Sequence, residues 1–297
     1  MNTNPLFSVL IANYNNGKYL MDAINSVYAQ TYTNWEIILV DDASKDNSRE
    51  LYKELEKDSR IHIFYNEENK GCGYTKRRCA ELANGELCGF LDPDDMLLPK
   101  ALELMVGVHT KYEDVAIVYS RCYLCDEKYE PIGKNNLLRL KEGESFFDYR
   151  WYGAMHLVAY KKVFYDKTEG ISANIKAGVD QDLYFKVEEV GKIYVLDEFT
   201  YKYVIKRSTA ITSYSNRANL FYWNLEVRKA ACLRRGLDCD SIICKDFGVL
   251  MNSYAESIMP QLEKEKIEAV YGSHSYRLGN FILTPLIWLK RLINNSK

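Results

Sequence analysis

Short apolar runs alternate, over the first third of the chain, with stretches in which apolar positions recur every three or four residues. "FSVLIA" (7–12), "EIILV" (36–40), "IHIFY" (61–65) and "ELCGFL" (86–91) are rich in β-branched and aromatic side chains, which predicts strands covered on both faces. Between them, Leu20, Ile24 and Val27 fall at i, i+4 and i+7, and Leu51 and Leu55 follow the polar "DASKDNS". Leu102, Met105, Val106 and His109 follow Pro99, a residue suited to a first helical turn. Alternation of strand and helix predicts a parallel sheet with right-handed crossovers.

The polar residues that close each strand add the chemistry. "NYNN" (13–16), "DDAS" (41–44), Asn66 and "DPDD" (92–95) follow the four strands in turn. In a parallel sheet these four ends share one edge, where open α/β sheets bind ligands. Each segment alone reads equally well as turn and N-cap chemistry; four at one edge point to a site. Beyond about residue 115 the pattern changes to "VAIVYS", an aromatic-rich "ESFFDYRWYGAMHLVAY" and "KAGVDQDLYFKVEEVGKIYVLDE". From roughly 216 it turns mainly helical, "RANLFYWNLEVRKAACLRRG" closing on a glycine that reads as a helix stop.

Composition narrows the function class. With 297 residues, 47% of them hydrophobic, the chain can bury a large core, and a formal net charge of -2 excludes a general nucleic-acid binder. The opening stretch lacks a basic segment followed by a long apolar one, and no run reaches bilayer length, so a cytoplasmic protein is expected. Eight scattered cysteines fit reduced thiols, and the lone CxxC at Cys122 and Cys125 reads as two ordinary cysteines rather than a zinc site.

Carboxylates this close raise one another's pKa unless a cation lies between them. Mg²⁺ or Mn²⁺ accepts all-oxygen ligation, takes one or two protein carboxylates and fills its shell with water and phosphate oxygens. Asp92 and Asp94 have D-x-D spacing just past a strand, so the first can reach a sugar hydroxyl or water while the second ligates the ion; Asp95 suits either role.

"VLIANYNNGKYLMDAINSVYAQTYTNWEIILVDDASKDNS", "NKGCGYTKRRCAELANGELCGFLDPDD" and "GVDQDLYFKV" together resemble the family 2 glycosyltransferases, over about the first 210 residues and in the family's order. The resemblance implies an α/β GT-A fold, a Rossmann-like mixed sheet flanked by helices, and an inverting enzyme using a nucleotide-sugar donor. It implies a catalytic domain over 1–215, with a nucleotide-binding half to 115 and an acceptor-binding half from 116 to 215, and a helical extension over 216–297.

Carried onto this chain, Tyr14 and Asn15 match the family's "YN" beside the base, and Asp42 the acid that hydrogen-bonds base or ribose, with Asp41 left to the turn. Lys76 stands where the family has the Arg of "ARN" and Arg77 where it has the Asn, so a cation stays near the base without the planar fork. Asp92 and Asp94 match the D-x-D, Asp94 as metal ligand. "GVDQDL" resembles "E-D-x-D-L", which makes Asp180 the general base, with Val179 in place of the Glu and Asp182 as a cap or supporting residue. Lys206 or Arg207 would meet the diphosphate.

The 24 tyrosines cluster partly around 147–165. There "FFDYRWYGAM" suits an acceptor groove, with Trp151, Tyr152 and His156 as candidates, as well as it suits an aromatic core. The stretch 276–291 sets apolar residues and Trp288 between basic ones; peripheral contact with the inner face of the plasma membrane is the first expectation. Packing on the catalytic domain, or against another copy in a homodimer, is the alternative. The expected reaction is transfer from a UDP-sugar to a hydroxyl of a glycan or lipid-linked oligosaccharide. Rivals are a non-catalytic glycan-binding relative and a sugar-phosphate nucleotidyltransferase; "ANYNNGKYL" lacks the Gly-rich, Arg-containing loop of the latter.

Overall fold

The computed structural model describes residues 2–135, 137–141, 144–149, 156–205 and 217–242, with backbone alone at 217–219 and 221. The chain divides into compact units at 1–235 and 236–297, so the first unit runs past the expected boundary at 215. The whole sheet belongs to the first unit.

The four expected strands form as β1 (Phe7–Asn13), β2 (Trp35–Asp41), β3 (Ile61–Tyr65) and β4 (Leu87–Phe90). They pair in parallel in the order β3-β2-β1-β4. Every residue of β2 is buried, because helices cover both faces: α1 (Gly17–Tyr28), α2 (Ser48–Leu55) and α3 (Cys72–Leu82) are its crossovers. On α1, Leu20, Ile24 and Val27 are wholly buried, as their spacing predicts. At about 1.5–3 kcal/mol per buried side chain, this stripe gives the helix most of its reason to form here.

The acidic loop then leads into a two-residue strand, β5 (Met96–Leu97), and α4 (Ala101–Lys111). Leu102, Met105, Val106 and His109 of α4 are all buried, and the helix starts two residues beyond Pro99 rather than at it. Burial pushes the His109 ring down to about 4, so it is a neutral core histidine, its Nε2 3.3 Å from the Ala159 carbonyl.

The second half makes the sheet mixed. The strands β6 (Val115–Cys125), β7 (Pro131–Lys134), β8 (Val158–Lys161) and β9 (Lys192–Val204) extend it. Its order is β3-β2-β1-β4-β8-β6-β9-β5, with β7 on β6. β8 runs antiparallel to both β4 and β6, β9 parallel to β6, and β5 antiparallel to β9. Cys122 and Cys125 lie in β6, buried and free of disulfides. Three helices complete the unit: α5 (Lys162–Tyr165), α6 (Val179–Glu188) and α7 (Arg217–Arg234), the last closing just before the glycine expected to stop it. Arg235, beyond α7, donates to Glu188 at the end of α6 and to its C-cap Glu189, and Arg234 to Glu189, tying the two helices together.

Candidate active site

The strand ends do converge. A cleft of about 950 Å³ opens at the C-terminal edge of the parallel strands, and Asp42, Asp92, Asp94, Asp95 and Asp180 all line it.

At the β1 and β2 ends the polar residues mostly hold one another. Asp41 accepts hydrogen bonds from the Ser44 amide (3.0 Å) and the Tyr52 hydroxyl (2.7 Å), which makes it the turn residue expected. Asn13 donates through Nδ2 to the Ser48 and Tyr52 hydroxyls, at 3.0 and 2.7 Å. Asp42 is buried and accepts from the amides of Lys70 and Gly71, both at 2.8 Å, and from Asn66 Nδ2 at 2.7 Å. It thereby fixes the loop that leads into α3, whose Gly71 has φ +89, a conformation other side chains rarely adopt. Tyr14 lies on the cleft wall with 43% of its surface exposed. Asn15 departs from expectation. With φ +54 it turns its carboxamide to the Lys45 amide (2.7 Å) and its own amide to the Ser44 hydroxyl, so it ties two loops together outside the cleft lining.

Lys76 is buried on the cleft wall. Its ammonium lies 2.9 Å from Asp180 and 3.2 Å from Asp92, at the junction of the acids. Burial works to lower its pKa, but Asp180 and Asp92 outweigh that and hold it well above the usual lysine range. Burial likewise acts to raise Asp92, yet the charges of Lys76 and His156 leave that carboxyl below its ordinary value. The cation expected from close carboxylates is therefore supplied, in part, by the chain itself.

The acidic loop is braced from β9. The Asp92 amide donates to the Tyr201 hydroxyl (3.2 Å), which donates to Asp95 (3.0 Å), while Asp95 also accepts from the Val204 amide at 2.8 Å. Burial first, then the charges of Asp92 and Asp94, push the Asp95 carboxyl well above the ordinary range. Asp95 is thus a bracing group, and Asp94 lies half-buried on the cleft wall. Among the described residues no three His, Cys, Asp or Glu side chains are placed to hold a metal by themselves. The donor set fits an ion that takes Asp94 and Asp92 and completes its shell with phosphate oxygens and water, not a closed protein cage.

Asp180 sits in the first turn of α6, whose N-cap Gly178 has φ +71. One carboxylate oxygen meets Lys76 and its side chain stays 37% exposed to the cleft. Val179, in the place of the family's Glu, is buried. Asp182 is buried too, accepting from the Ser172 amide at 2.7 Å and pairing with Lys186 at 3.0 Å, a supporting role for α6. His156 lines the cleft with its ring stacked on Tyr201 and Tyr203, centroids 4.8 and 5.3 Å away. Burial lowers its pKa against the opposing pull of Asp92 and Asp180. Trp151, Tyr152, Lys206, Arg207 and the segment 276–291 lie outside the described residues. No helix among the described residues is long and apolar enough to cross a membrane.

Sequence reasoning passed over Tyr201, Gln181 and Asn224, all at the site. Asn224 had a signal: a lone carboxamide in the aromatic helical run "LFYWNLEV".

A family model, glycosyl transferase family 2, matches residues 8–168. The UDP-Glc:alpha-D-GlcNAc-diphosphoundecaprenol beta-1,3-glucosyltransferase WfgD of Escherichia coli is 34% identical over 134 residues, 45% of this chain and 49% of that one. Chondroitin synthase of Escherichia coli is 29% identical over 204 residues, 68% of this chain and 29% of that one. The matches thus span under half of either relative's length. Among solved structures, S. aureus TarS 1-349 in complex with UDP superposes with TM-score 0.62 at 16% identity, covering 87% of this chain and 75% of that one, which supports the GT-A-like fold.

Proposed function

Because the chain belongs to glycosyl transferase family 2, we propose that it transfers a sugar from a nucleotide-sugar donor, a UDP-sugar, to a hydroxyl of a bacterial surface glycan or its lipid-linked precursor. The observation that carries this reading is the gathering of Asp42, Asp92, Asp94 and Asp180, from three distant segments, in one cleft. The UDP named with TarS, and the UDP-Glc and diphosphoundecaprenol-linked acceptor in the name of WfgD, favour the donor and acceptor classes. The reaction would run on the cytoplasmic side, where nucleotide sugars are made.

In this reading Tyr14 stacks on the base at the β1 end and Asp42 holds the loop that borders it. Asp180, gripped by Lys76 through one oxygen, uses the other to take the proton of the acceptor hydroxyl. That hydroxyl oxygen bonds to the anomeric carbon as the carbon's bond to the diphosphate oxygen breaks on the opposite face, its electron pair leaving with the nucleoside diphosphate. One displacement inverts the configuration. A divalent ion held by Asp94 and Asp92 would supply charge against that developing on the diphosphate. His156 and the tyrosines beneath it form the acceptor wall.

The test is purified protein with Mn²⁺, a panel of UDP-, GDP- and dTDP-sugars, and lipid-linked GlcNAc diphosphate as the first acceptor. Asp180→Asn should cut transfer by about 10²–10⁴-fold while UDP still binds. Undiminished transfer in that variant refutes the role of Asp180; tight nucleotide binding without turnover on any acceptor refutes the enzyme in favour of a binding module.

A further inference from the structure

Two carboxamides beside Asp180 lack the partner their chemistry demands. Gln181 follows Asp180 on α6, and Asn224 projects from α7; both line the cleft. The Gln181 Oε1 and the Asn224 Oδ1 are buried without a hydrogen-bond donor, and Asn224 is only 6% exposed. A buried acceptor left unpaired costs about 1–3 kcal/mol, and folded proteins keep few of them. Here one follows Asp180 in α6 and the other lies against Gly178 at the start of the same turn.

The backbone makes room for this arrangement. A side chain at Gly178 would put its Cβ 2.4 Å from Asn224 Oδ1, and φ +71 at that glycine disfavours any other residue as well. Glycine at the α6 N-cap therefore seats the Asn224 amide against the turn that carries Asp180. α7 is itself anchored, Arg228 donating to the Phe147 carbonyl at 3.0 Å and Arg234 to Glu189 at 3.0 Å. Both amides thus project from tethered helices and contribute to the lining of the cleft.

We propose that Gln181 and Asn224 form a saccharide subsite, in which their carbonyl oxygens accept hydrogen bonds from hydroxyl or N-acetyl N–H groups neighbouring the attacking hydroxyl of the acceptor sugar. The ligand class follows from polarity. Orphaned carbonyls need donors, and a diphosphate oxygen at neutral pH offers none, so the subsite belongs to the polyol and not to the phosphates. The proposal rests on the glycosyl-transfer reading of the cleft and adds the residues that select the acceptor.

The experiment compares the whole chain with Asn224→Leu, which keeps the branched heavy-atom shape, and Gln181→Met, which keeps the unbranched stem; both remove the acceptor. Thermal melts of the free protein are paired with binding of p-nitrophenyl glucoside and p-nitrophenyl N-acetylglucosaminide, each measured in the presence of UDP by saturation-transfer NMR. Removing an orphan should hold or raise the melting temperature, while the saccharide Kd rises about tenfold for each hydrogen bond lost and the UDP Kd moves less than twofold. A lower melting temperature with saccharide binding intact would make the amides structural and overturn the subsite. UDP binding without binding of either saccharide by the unaltered protein would also overturn it, leaving the transferase reading in place. Absence of binding by UDP and saccharides alike would instead remove the transferase reading beneath it.

Discussion

Replacing Lys76 by Met tests the electrostatic centre of the cleft. The substitution keeps an unbranched apolar stem but deletes the ammonium shared by Asp180 and Asp92 at 2.9 and 3.2 Å. A unit pair at 4 Å is worth about 4 kcal/mol at an effective dielectric of 20, before desolvation. The two carboxylate side chains are 37% and 32% exposed, where solvent reduces such a pair towards 1 kcal/mol or less, whereas the ammonium is 7% exposed. Leaving a buried charge without its partner costs about 3–5 kcal/mol in the fully desolvated limit. A site between these limits predicts a loss of about 2 kcal/mol at pH 7.

The pH dependence carries a sign. Asp92 is depressed below 3.8, so its contribution is present above that value and lost as pH falls through the lower folded pKa. Lys76 is raised above 10.5, so its contribution is present below that value and lost as pH rises through the higher folded pKa. The stability gap between the unaltered protein and Lys76→Met should therefore be widest across roughly pH 5–9 and narrow at both extremes. Urea unfolding followed by circular dichroism at a series of pH values measures it. A gap that is absent at pH 7, or equally wide near pH 3, would refute the reasoning.

Three further outcomes rest on the same geometry. Asp95→Asn keeps an acceptor for the Val204 amide and removes a carboxyl whose folded pKa is raised; an acid so shifted favours the native state less as pH climbs above 3.8, so the variant should gain stability relative to the unaltered protein between pH 5 and pH 8 in urea melts. Gly178→Ala meets both a positive φ and the Asn224 amide, and should cost about 1–3 kcal/mol in the same assay. Asp42→Ala frees the amides of Lys70 and Gly71; calorimetric UDP titration should show affinity weakened by about tenfold or more, and an unchanged Kd would exclude that loop from the nucleotide site.

Much of the architecture was legible in the sequence. The four parallel strands and the helices α1, α2 and α4 announced themselves because a strand buried on both faces leaves an apolar run, and a half-buried helix leaves a stripe; α3, "CGYTKRRCAEL", carries no such stripe. That Asp42, Asp92 and Asp94 share a cleft followed from the direction of those strands, whereas Asp180, on α6, was expected there only from the family resemblance. Which acid meets which cation did not follow, because residues 76, 92 and 180 are joined only by tertiary packing and no local pattern links them. Lys76 was legible as a cation of the site, but not as the partner of Asp180 and Asp92. Asn15 was legible as a turn residue but not as one facing Lys45, since a φ of +54 reverses the direction of its side chain. The mixed half of the sheet was least legible, because whether β8 joins β4 parallel or antiparallel is decided by a long excursion and not by the strand's own residues.

The bracing of the acidic loop also bears on how this chain could change over evolutionary time. Leu91 is tethered to Leu10 by its amide, and Met96, just past "DPDD", is already in register with Lys202. An inserted residue in that span would tear β5 from its neighbour or pull Asp95 off Val204, and a deletion would be no kinder. Length polymorphism is therefore barred from "DPDD" by the hydrogen bonds made on both sides of it, so that this loop can vary in residue but not in number.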